Sequence, residues 1–72
     1  MKDQGIVTEL RDIGQDRVQM FYAGLGCVLT KLEAKQVAVG DLCEVETDRL
    51  NRVFRIKIND KVIRETPPEQ FF

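Results

Sequence analysis

Apolar residues recur at every second position along most of this chain, so the pattern predicts strands and little helix. In GIVTEL, Ile6, Thr8 and Leu10 alternate with Val7, Glu9 and Arg11, a period-two pattern that suits a half-buried strand. Residues 12–16 (DIGQD) form a turn, where Gly14 is free to take a positive φ. RVQMFY places Val18, Met20 and Tyr22 on one face and Arg17, Gln19 and Phe21 on the other. AGLG interrupts it as a hairpin turn, and CVLTKL returns as a third strand. Residues 32–37 (LEAKQV) hold good helix formers but are too few for an isolated helix, so they predict a single helical turn or a loop. Gly40 and Asp41 turn the chain into a fourth strand, LCEVE, with Cys43 and Val45 inward and Glu44 and Glu46 outward. Residues 47–51 read as a polar loop anchored by Leu50.

The clearest hairpin is RVFRIKI-ND-KVIRE. A two-residue Asn59-Asp60 connection of type I′ pairs Ile58 with Lys61, Lys57 with Val62, Ile56 with Ile63, Arg55 with Arg64 and Phe54 with Glu65. Phe54, Ile56, Ile58 and Ile63 then face a core, and Ile56 meets Val18, Met20 and Val45. Arg55, Lys57 and Arg64 form an outward basic face. The tail TPPEQFF cannot carry the strand across Pro67 and Pro68, which have no N–H to donate. Short strands at regular spacing predict an all-β chain, a small five- to six-stranded barrel, OB-like or SH3-like. It occupies residues 1–66 as one domain, with 67–72 as a C-terminal tail.

Composition narrows the reading. Seventy-two residues suffice for one small domain that buries roughly 60% of its unfolded surface. At 43% hydrophobic and 32% charged, the chain suits a folded domain rather than a disordered one. No apolar run approaches the roughly 18 residues of a membrane helix, and MKDQG leads into no signal-like apolar stretch. These features predict a cytoplasmic protein without a membrane partner. The absence of histidine and the presence of only two cysteines exclude the common zinc sites. Cys27 and Cys43 read as small buried groups in a reducing compartment, with a disulfide as the alternative if their strands pair.

No phosphate-binding glycine loop and no nucleophile elbow is present. The carboxylates Glu44, Glu46 and Asp48 read as a solvated strand face that balances the basic hairpin rather than as acid–base machinery or a weak divalent-cation site. The chain is accordingly read as a non-enzyme without metal or cofactor.

Charge points to a ligand. The net charge is −1, yet residues 1–48 carry five basic and nine acidic side chains, whereas 49–64 carry six basic and one acidic. Oligonucleotide-binding barrels combine a positive groove with aromatic platforms on which bases stack. Arg55, Lys57, Lys61 and Arg64 supply the charge. Phe21, beside Arg17 and Gln19, supplies the platform if Val18, Met20 and Tyr22 fill the core; the opposite assignment buries it. The pI of about 5.3 argues against tight non-specific binding. The favoured partner is single-stranded RNA or DNA. The rival is a protein partner, with the chain acting as a homodimer or as a subunit of an assembly. Phe71 and Phe72 either fold back over the barrel or dock on that partner.

Two resemblances bear on this. GIVTEL, RVQMFY, VLTKL, VAVGDLCEVE and RVFRIKI together resemble the short bacterial translation initiation factor family with a single OB domain, with Gly5, Val7, Val18, Val28, Leu29, Gly40, Asp41, Val45 and Ile56 at suitable spacing. That resemblance implies RNA lying across strands two and three, near Arg17, Gln19, Phe21 and Lys31. VLTKLEAKQVAVGDLCEVE followed by FRIKINDKVI is similar to the SpoA domain of flagellar switch and type III secretion proteins. This second resemblance implies an intertwined dimer in a structural assembly.

Overall fold

A single long strand, β1 (Lys2–Gly14), organises the fold. The computed structural model describes residues 1–66. It is all-β, with six antiparallel strands in one sheet and one short helix. After β1 come β2 (Arg17–Tyr22), β3 (Leu25–Thr30), α1 (Lys31–Ala34), β4 (Leu42–Thr47), β5 (Val53–Ile58) and β6 (Lys61–Glu65). The order across the sheet is β3-β2-β1-β4-β5-β6. β1 serves two neighbours with two different segments: Lys2 to Ile6 pair with β4, and Val7 to Gly14 pair with β2. At the changeover, Val7 donates its N–H to Asp41 and accepts from Gly40, both at 2.8 Å. The turn before β4 is thereby tied to the middle of β1.

Among the described residues ten side chains form the core, including Val7, Met20, Tyr22, Leu29, Cys43, Val45, Ile56 and Ile58. The inward residues expected on β2 and β4 are confirmed in the cases of Met20, Tyr22, Cys43 and Val45; Val18 is only half-buried. Cys27 and Cys43 are both free and buried, since β3 and β4 are not neighbours and the disulfide alternative does not arise.

Four local expectations are corrected. The first concerns β1, where a bulge between Val7 and Glu9 breaks the alternation. The extra residue brings Val7 and Leu10 toward the same side; Val7 is buried and Leu10 packs against the core, while Ile6 stays half exposed. Bulges bend a strand, which suits one that changes partners here.

The second is the β5–β6 register. Asn59 and Asp60 both adopt positive φ, 50° and 69°, as a type I′ turn requires. The pairs Ile58–Lys61 and Lys57–Val62 form as expected, but a bulge then shifts the ladder to Ile56–Arg64 and Arg55–Glu65. Arg64 therefore leaves the outward basic face. Ile63 remains packed against the core.

The third is Phe54. A second irregularity in β5, opposite Glu46 and Thr47, packs Val53 against the core and leaves Phe54 half-buried.

The fourth is the loop after β4. Leu50 is 70% exposed and anchors nothing. Asp48 holds the loop instead, accepting from the Leu50 and Arg52 N–H groups and from Arg52 Nε, each at 2.9 Å.

Of the two alternatives for residues 32–37, a helical turn or a loop, a helical turn forms, shifted to Lys31–Ala34, with its start set by a capping box. Glu33 N–H donates to Thr30 Oγ1 and Thr30 N–H donates to Glu33 Oε1. Satisfying two orphan donors reciprocally is what permits so short a helix, and it stops β3 at Thr30 rather than Leu32. Among the described residues, no helix is long and apolar enough to cross a membrane.

Candidate nucleic-acid interface

Facing pairs across a sheet share one side. The pairs Arg17–Thr30, Gln19–Val28 and Phe21–Gly26 between β2 and β3, with Glu9–Phe21 and Arg11–Gln19 between β1 and β2, define one outer surface. Met20 and Tyr22 point inward and are buried, so alternation turns Phe21 outward, where it is half-buried. On its β3 side stands Gly26. A Cβ there would lie 3.1 Å from Gln19 Nε2 and 3.8 Å from the Phe21 ring; with glycine, no side chain walls off that flank.

Over the ring sits a residue that sequence reasoning missed. The Arg11 guanidinium carbon lies 5.4 Å from the Phe21 centroid, within cation–π range. Glu9 holds it there, accepting from Arg11 Nε at 3.0 Å and lying 2.8 Å from Nη2. The signal was available: Glu9 and Arg11 are two apart and share a strand face. Only the β1–β2 pairing, however, places that face beside Phe21.

The basic hairpin looks different in three dimensions. Lys57 lies 3.9 Å from Glu44, and Arg55 Nε lies 3.4 Å from Glu65. Lys2 contributes to the same surface, 4.0 Å from Glu44 and 3.7 Å from Glu46. The outer face of β4–β5 is thus a lattice of opposite charges. Lys61 is exposed at the hairpin tip. β1 and β4 separate Arg55 and Lys57 from Phe21 in the sheet, so these residues are not gathered around the aromatic platform.

Arg64 joins a different group. Its Nε donates to Glu33 Oε2 at 2.6 Å, and its Nη2 donates to Glu33 Oε1 and, at 3.1 Å, to the Val28 carbonyl. The hydrogen bond from Arg64 is the main reason the Glu33 carboxyl titrates below its usual range, outweighing the opposing effect of burial. The same bond pushes Arg64 up. Arg64, Arg17, Val28, Leu29 and Thr30 line a pocket of about 300 Å³ at the free edge of β3. Arg17 and Thr30 also border a second pocket of about 500 Å³, lined in addition by Gln15, Asp16, Lys31, Leu32 and Lys35. Lys31 is shared between Asp12 at 3.7 Å and Asp16 at 3.9 Å. Arg17 has no ion pair among the described residues.

Burial pushes the Cys27 and Cys43 thiols up, which keeps both protonated and poorly nucleophilic. Burial also pushes the Tyr22 phenol to about 12, helped by Cys27 and Asp3. Among the described residues no cluster of acidic or cysteine side chains could hold a metal ion. Phe71 and Phe72 lie outside the described residues. Comparison of the chain with known protein families, with curated proteins and with solved structures finds no match in any of the three.

Proposed function

We propose that this chain is a non-catalytic, cytoplasmic binding module for single-stranded RNA or DNA, built as a half-open OB-like barrel. The strand lies over the outer face of β1, β2 and β3. One observation carries the reading: Phe21 is turned out of the core, open on its Gly26 flank and faced by the Arg11 guanidinium. An aromatic ring beside planar cations is how sequence-tolerant strands are held, with bases stacking on the ring and on arginine. Arg17, on the same face of β2, supplies a backbone contact. The barrel reading is supported by Arg64, which reaches from the β6 edge to the Val28 carbonyl on the β3 edge.

The test is a fluorescent single-stranded oligonucleotide titrated with protein at low salt. Phe21→Ala should weaken binding by about 1–3 kcal/mol, the worth of one base–aromatic stack. Wild-type affinity should fall steeply between about 50 and 200 mM salt. Absence of low-salt binding to any strand, or indifference to Phe21→Ala, would overturn the proposal.

A further inference from the structure

The pocket at the β3 edge holds two guanidiniums in different states. Arg64 is immobilised by three hydrogen bonds that use only Nε and Nη2. The two N–H groups of Nη1 have no partner among the described residues, and a guanidinium carries five in all. Glu33 neutralises its charge. Arg17 lines the same pocket, is exposed, and has no ion pair among the described residues. Thr30 Oγ1 accepts from Glu33 N–H, which leaves its hydroxyl proton to donate. The pocket is therefore lined by side chains that keep spare donors, and its net charge is about one positive unit. That suits a singly charged oxyanion better than a doubly charged one.

We propose that this pocket takes one internal phosphodiester of the bound strand, with Arg17 as its charge partner and Arg64 Nη1 and Thr30 Oγ1 as its orienting donors. This rests on the reading of Phe21 as a base platform. Arg17 and Phe21 lie four residues apart on one face of β2, a span of about 13 Å at 3.3 Å per residue. The pocket thus sits along the strand from the platform rather than beneath it. Arg64 serves a ligand role because the Glu33 fork fixes it, not because it is a free surface cation.

Two measurements test the proposal. In the first, the Arg17 and Arg64 guanidinium N–H resonances are followed while the protein is titrated with thymidylyl-thymidine, which carries one diester and no terminal phosphate. Both should shift, and thymidine 5′-monophosphate, a dianion, should shift them less. Equal or larger shifts with the monoester would overturn the diester assignment. In the second, oligonucleotide binding is measured against salt. Arg17→Ala should reduce the slope of log K on log salt by about 0.7, the value of one single-strand phosphate contact, and Arg17→Lys should restore it. An unchanged slope in Arg17→Ala, with Phe21→Ala still impaired, would overturn the pocket alone. Failure of every strand to bind would overturn the pocket and the platform together.

Discussion

Arg64 on β6 and Glu33 on α1, 31 residues apart in the chain, meet in a two-pronged ion pair with N–O distances of 2.6 and 2.5 Å. The pair links the last strand to the helical turn that follows β3, and Arg64 also reaches the Val28 carbonyl. The two edge strands, which share no backbone ladder, are thereby joined through side chains. A free edge invites pairing with another chain, and a guanidinium seated on one of its carbonyls blunts that tendency.

The pair should make stability depend on pH. Glu33 has a lowered pKa in the folded state, so its contribution is complete above the unfolded value of about 4.3 and is lost as pH falls through the folded pKa. Glu33→Gln should cost about 1–3 kcal/mol at neutral pH, allowing for partial exposure. Its urea midpoint should also fall less than that of the wild type on acidification from about pH 5 to 3. Parallel pH curves would show that the pair contributes nothing.

A close approach at Gly5 gives a second prediction. A Cβ on Gly5 would stand 2.7 Å from the Ala23 methyl in the β2–β3 turn, and neither group has a torsion with which to evade the other. Gly5→Ala should lower stability by about 1–3 kcal/mol, or several degrees in thermal midpoint. Ala23 sits at a φ of 48°, where glycine is at ease. Adding Ala23→Gly should therefore recover most of the loss, and a double variant no better than Gly5→Ala alone would contradict the contact.

The core predicts a contrast within the last hairpin. Ile56 is fully buried and paired with Val45, whereas Val62 is 40% exposed. Ile56→Ala should cost about 2–5 kcal/mol and Val62→Ala no more than about 0.5. Chemical denaturation of the two variants side by side is sufficient, and similar losses would mean that the hairpin faces are reversed.

Tyr22 is the only tyrosine, so its titration can be followed by phenolate absorbance. Its folded pKa of about 12 exceeds the unfolded value of about 10. Stability should be complete below about pH 10 and decline as pH rises through 12. Tyr22→Phe should flatten that alkaline decline. Ionisation of the native protein near pH 10 would show that the phenol is open to water.

Glu9 should act as a brake on binding. It occupies Arg11 and places a carboxylate beside the Phe21 platform. Glu9→Gln should tighten oligonucleotide binding a few-fold and steepen its salt dependence, because a released arginine neutralises phosphate. Weaker binding would mean that Arg11 must be held over the ring to be useful.

Alternation and turn chemistry were enough to assign the faces of β2 and β4, the Asn59-Asp60 turn and its first two pairs. These depend on neighbours within a few residues. The capped turn at Thr30 to Glu33 belongs with them: its residue types marked a helical turn locally, although its reciprocal hydrogen bonds set its start. Phe21 on the outer face followed once Met20 and Tyr22 were turned inward.

What the sequence left open depends on distant partners. The bulges at Thr8 and beside Ile56 each shift one residue to the other side, and no local preference announces them; the first lies where β1 changes partners. Leu10 reaches the core and Arg64 leaves the basic face through these shifts. That the acids of β4 balance the basic hairpin was legible in the sequence, but which acid meets which base, Lys57 with Glu44 and Arg55 with Glu65, is set only by the register of the folded sheet. Arg11 over Phe21 and Arg64 on Glu33 are likewise tertiary contacts. The strand faces were written in the order of residues, but which charges remain available to a ligand was decided by the sheet that brings them together.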